Sequence, residues 1–102
     1  MWICLNDGFF SVVRDKDRPD GLMVRSRRRD HMVRALPTQP ILTTPYADYR
    51  WRTFLHQDVL ADFMVDRIRA IDYSNFKDSV GERRLGDLYA DFWQLHWHYQ
   101  HA

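Results

Sequence analysis

Through residue 56 the hydrophobic positions mostly recur with the period of two that marks strands, and from Gln57 onward they recur with the period of a helix. Met1–Leu5 and Phe9–Val13 are strand-like and flank Asn6-Asp7-Gly8, residue types that tolerate the positive φ of a hairpin turn. The stretch Asp15–Gly21 is charged and holds both Pro19 and Gly21, which predicts a loop. Leu22–Arg27 resumes an extended pattern, and RRDHMVRAL then shifts to a short helical one that Pro37 ends. ILTT, bracketed by Pro40 and Pro45, predicts a short edge strand. Tyr49–His56 (YRWRTFLH) alternates most cleanly and predicts a further strand.

In the second part of the chain, Leu60, Phe63, Met64, Ile68 and Ile71 fall on one face of a helix. DYSNFKDSVG interrupts that pattern with capping and turn residues. A last helix starts near Arg84, with Leu85, Leu88, Tyr89, Phe92, Leu95, His96 and Tyr99 along one side. The order β-β-β-α-β-β-α-α predicts an α+β fold: a mainly antiparallel sheet of about five strands with three helices packed on one face. Its preferred version is a ferredoxin-like core with an added N-terminal hairpin. A length of 102 residues fits a single domain, 1–102.

Composition adds an aromatic excess, 15% of residues, to a chain that is 45% hydrophobic; one small core cannot hide that much apolar surface, so some of it is available to a partner. Cys4 is the only cysteine, which excludes an internal disulfide and a thiolate zinc site, suits a reducing compartment, and reads as a small buried hydrophobe in its strand. The N-terminal stretch lacks the basic residues of a signal peptide and no apolar run reaches membrane-spanning length, so a cytoplasmic location is expected, with no membrane partner.

The net charge of +1 conceals an asymmetry. Residues 1–56 carry ten Arg or Lys against six Asp, whereas residues 57–102 carry five against eight acidic residues. Nearly all the cations are arginine, whose planar fork suits carboxylate or phosphate. Alternation places Arg25 with Arg27, and Arg50 with Arg52, on the sheet face opposite the helices, with Arg28 and Arg29 at the rim. That is a candidate surface for nucleic acid or another anion. The competing reading is an ordinary solvated face whose arginines pair with nearby Asp. Tyr49, Trp51 and Thr53 alternate toward the helices, the wrong side for the stacking platform of a sheet-type single-strand binder.

The C-terminal helix offers two further candidates. Asp87, Asp91, Gln94, His98 and His101 form one stripe, which matches a wet helix face better than a metal site, because His96 lies on the far side. No metal and no cofactor is therefore expected. Tyr89, Trp93, Trp97 and Tyr99 are aromatic types common in binding hot spots, and they are the candidate partner-binding residues, set against ordinary packing on the sheet. Asp72–Lys77 reads as a structural connection, and no triad, phosphate loop or paired carboxylates assemble anywhere, so no catalytic residue is assigned.

MWICLNDGFFSVV, MVRSR, TPYADYRWR, RAIDYSNFKDSV and the closing aromatic helix resemble an uncharacterised family of small bacterial and phage-associated proteins. The resemblance spans nearly the full chain and implies a free-standing domain in a bacterial or phage setting, with no activity to carry over. The expectation is thus a non-enzymatic interaction or regulatory protein that binds a protein partner or forms a homodimer, a phage-encoded inhibitor being one instance. Nucleic-acid binding through the arginines is the alternative.

Overall fold

A computed structural model describes residues 1–102. The chain forms strands β1 (Trp2–Leu5), β2 (Gly8–Arg14) and β3 (Gly21–Ser26), then helix α1 (Arg29–Ala35). Strands β4 (Leu42–Thr43) and β5 (Trp51–His56) follow, then α2 (Gln57–Arg69), a 3-10 turn (Lys77–Ser79) and α3 (Arg83–Gln100). It falls into two compact units, Met1–Ile71 and Asp72–Ala102. No helix is long and apolar enough to cross a membrane.

The first unit holds a five-stranded sheet, antiparallel throughout, in the order β1-β2-β3-β5-β4. β3, α1, β4, β5 and α2 follow the path of a ferredoxin-like fold, in which a helical crossover leaves a gap that the next strand fills. The departure lies at the ends. After α2 no strand returns to the sheet, and β2, which precedes β3 in sequence, occupies the position that a final strand would take.

The strand register sorts side chains onto two faces. Ile3, Phe10, Val12, Val24 and Leu55 point to one of them, where Met32 and Leu36 of α1 and Leu60 of α2 complete a single core. Leu5, Leu22, Ile41, Phe63 and Met64 line its margin. Burial of a residue such as Val24 or Met32 contributes about 1.5–3 kcal/mol. Ile68 and Ile71, on the apolar stripe by spacing, are exposed, because the inward face of α2 ends at Met64.

The hairpin turn differs from its expected chemistry. Asn6 and Asp7 alone join Leu5 to Gly8, and no residue of the chain has a positive φ. The turn is clamped from outside instead. Arg67 of α2 donates through Nη2 to Asp7 Oδ1 at 2.8 Å and to Asn6 Oδ1 at 3.1 Å, while Arg34 donates to the Asp7 carbonyl at 2.9 Å. Gly8 serves a packing need, since a Cβ there would stand 3.2 Å from the Phe10 ring and 3.3 Å from His31 Cβ. His31 is buried beside it, its Nδ1 accepting the Phe9 N–H at 3.3 Å.

α2 begins at an unusual cap. His56 Nδ1 accepts the Asp58 N–H at 3.0 Å, which fixes the proton on Nε2, and Nε2 lies 2.9 Å from Asp20 Oδ2. In the second unit the aromatic rings form a chain: Tyr73 against Phe76 at 5.9 Å, Phe76 against Tyr89 at 5.2 Å, and Tyr89 against Phe92 at 6.0 Å between centroids. Asn75 Oδ1 accepts the Asp78 N–H and thereby caps the 3-10 turn.

Candidate functional site

The arginines divide into two groups joined by one tyrosine. Arg25 of β3 and Arg52 of β5 are direct cross-strand partners on the sheet face away from α1 and α2. Two like charges directly opposite each other destabilise a sheet unless something offsets them. No carboxylate does so here. Arg25 donates to Ser11 Oγ at 2.7 Å, and its Nε is buried without a partner. Arg52 donates to Thr44 Oγ1 at 3.1 Å and approaches Met23 Sδ and the Tyr49 carbonyl at 3.3 and 3.4 Å. Both guanidiniums are thus held in place by neutral groups.

Tyr49 is the link. Its ring lies 4.7 Å from the Arg25 guanidinium and 4.1 Å from that of Arg27, contacts each worth about 0.5–2 kcal/mol. This corrects the alternation-based placement of Tyr49 toward the helices. The residue precedes β5, in a bend where Thr44 Oγ1 donates to its carbonyl at 2.8 Å, so the period of two does not extend to it. Trp51 and Thr53, inside the strand, oppose Ser26 and Val24 on the helix side as the pattern implies.

Arg27 and Arg50 lie just beyond the ends of β3 and β5. They join Arg28, Arg29 and Arg34 around an open pocket of about 800 Å³ whose only lining carboxylate is Asp30. Arg28 and Arg34 share Asp30 at 3.6 and 3.4 Å, and Arg27 pairs with Asp48 at 3.5 Å. Arg29 and Arg50 pair with no carboxylate; the Arg50 guanidinium stands 5.5 Å from the centre of the Trp51 ring. Burial pushes the Asp30 carboxyl up, but His31, Arg34, a backbone hydrogen bond and Arg28 together bring it below its ordinary value. Asp30 is therefore a fixed negative charge that neutralises only part of the pocket.

The sheet face around Arg25 and Arg52 also carries aromatic side chains that the sequence argument assigned no role. Trp2, Phe9 and Phe54 share this face, with Trp2 packed edge-on against Phe9 at 5.7 Å. The signal was present: Phe54 is two residues from Arg52, and the two-residue hairpin turn sets Trp2 opposite Ser11. Cys4 lies there too and is exposed, contrary to its expected burial, because residues of β1 with its parity point away from the core. Partial burial of the thiol pushes its pKa up.

No protein-family model, curated protein or solved structure matches the chain.

Of the candidate residues on α3, Tyr89 is buried within the aromatic chain and belongs to the interior rather than to a contact surface. Trp93, Leu95, Trp97 and Tyr99 are exposed. Lys77 Nζ stands 4.3 Å from the Trp93 ring centre. His98 and His101 flank the Trp97 indole at 5.6 and 4.1 Å, and His101 Nδ1 lies 2.8 Å from the Trp97 carbonyl. The two imidazoles are thus engaged with the indole and the helix end.

Proposed function

We propose that this protein binds a phosphate-bearing polyanion, nucleic acid above all, through its arginine array. The observation that carries the reading is charge without counter-charge: Arg25, Arg52, Arg29 and Arg50 are held in one unit and pair with no carboxylate. Ordinary surface arginines pair with Asp or Glu or point into bulk water. Here Tyr49, Ser11 and Thr44 hold guanidiniums in fixed positions, which lowers the ordering cost when a phosphate arrives. Arginine forks meet phosphate oxygens with two parallel hydrogen bonds, so a fixed array favours that chemistry.

The double variant Arg29→Ala/Arg50→Ala tests this reading, because both side chains are free of ion pairs and their loss leaves the fold intact. Affinity for a labelled oligonucleotide at low salt should drop at least tenfold, and the slope of log affinity against log salt should flatten by about 1.4–1.8. Unchanged binding in the variant would remove the pocket from the interface.

A second reading rests on α3, where Trp93, Leu95, Trp97 and Tyr99 are 52%, 63%, 46% and 84% exposed. Apolar exposure of this kind serves a protein partner, a second copy of the chain included. Sedimentation would show a concentration-dependent dimer that Trp97→Ala weakens; a monomer at every concentration would dispose of self-association.

A further inference from the structure

We infer that the basic pocket is an end-recognition site, taking the terminal phosphate of a nucleic-acid strand in preference to the phosphodiesters along it. The inference rests on the anion-binding reading and deepens it, because it names which phosphate enters the pocket. The accessible charge of the first unit converges there. Arg27 follows β3, Arg50 precedes β5, and Arg28, Arg29 and Arg34 belong to the start and the body of α1. All five are exposed, and they line one pocket of about 800 Å³. On the sheet face Arg25 and Arg52 are half-buried, and the Tyr49 ring between Arg25 and Arg27 is buried. Those two arginines add to the field, while direct contact with a ligand falls to the pocket.

The chemistry of the lining selects the ligand. Five guanidiniums against Asp30 leave four positive charges around the pocket, or three once the Asp48 partner of Arg27 is counted. Its volume is that of a small-ligand site, and guanidiniums from three segments surround it. Val33 and Trp51 form its apolar wall, and a basic cleft with such walls focuses its field on whatever group projects into it. An internal phosphodiester is tied to a sugar on both sides, carries one charge and passes across a pocket. A terminal phosphate projects from the chain, carries close to two charges at pH 7 and offers three acceptor oxygens to guanidinium forks. Arg29 and Arg50, which pair with no carboxylate, are the forks ready to receive it. A carboxylate brings one charge and two oxygens, and leaves most of the lining uncompensated.

The test is a competition on the full chain, in which unlabelled DNA 12-mers of one sequence displace a labelled strand at low salt. The competitors end in a 5′-phosphate, in a 3′-phosphate or in hydroxyls at both ends, and adenosine monophosphate serves as the free nucleotide. A phosphate at one end should tighten binding about tenfold or more over the hydroxyl-ended strand, the contribution of one charge-assisted hydrogen bond. Arg29→Ala/Arg50→Ala should erase that preference. Arg29→Lys/Arg50→Lys, which keeps the charge without the fork, should retain binding of the hydroxyl-ended strand and lose most of the preference. Equal binding of all three 12-mers overturns end recognition and leaves the anion reading standing. A preference that survives in the alanine variant overturns the assignment to this pocket. Adenosine monophosphate binding as tightly as the phosphorylated strands overturns the choice of a strand end as the ligand. No binding of any 12-mer overturns both readings.

Discussion

Arg25 and Arg52 show what a single pair of residues contributes to the account. Placed opposite each other on adjacent strands, they oppose folding by mutual repulsion, and a buried, unpartnered Arg25 Nε adds to the cost. Such a pair in the middle of a sheet is a candidate for function, since stability alone does not explain it. Asp30 is the counter-example, a carboxylate among arginines. Its pKa lies below the ordinary 3.8 in the folded chain, so its ionised form favours folding. That contribution is complete above the ordinary value and disappears as pH falls through the lower, folded one. Asp30→Asn should therefore melt at a lower temperature than the parent at pH 7, with the difference vanishing well below pH 3.8. A difference that persists unchanged into acid would contradict this assignment.

Elements were legible where local pattern alone decides them. The alternation of Phe9–Val13, that of Tyr49–His56 from Trp51 onward, and the helical spacing of Leu60, Phe63 and Met64 each produced the element expected. Pattern failed where a contact from outside the segment takes over. Tyr49 left the strand because Thr44 bends the chain before Trp51, and the Asn6–Asp7 turn forms without positive φ because Arg67 and Arg34 hold it. Nothing in the hairpin segment announces a partner some 60 residues away, the separation of Arg67 from Asp7. The clamp makes a prediction at this scale. Arg67 has only about a quarter of its side chain exposed, so Arg67→Ala should destabilise the first unit by about 1–2 kcal/mol in urea. Arg69→Ala, two residues on and exposed, should change stability by less than about 0.5 kcal/mol. Equal effects of the two would show that the turn does not depend on the clamp.

The molecule as a whole brings together what its sequence scatters. Arg25 and Arg52 were expected on one face, and they are there, but which aromatics accompany them depends on strand order. β2 enters the sheet beside β3 and carries β1 with it, so Trp2 joins a row that ends at Arg52. Neither the order nor the departure from ferredoxin-like topology can be read from periodicity, which fixes faces and not neighbours. The pocket of Arg27, Arg28, Arg29, Arg34 and Arg50 was likewise hidden, because it gathers a helix and two strand ends.

The central claim is that this arginine array binds nucleic acid, and the most direct measurement is the salt dependence of that binding. Fluorescence anisotropy of a labelled single-stranded 12-mer, titrated from low to physiological salt, reads it in one series. Four unpaired arginines predict a log–log slope of about −3 for a single strand. No measurable binding at the lowest salt, or a slope near zero, would contradict the account.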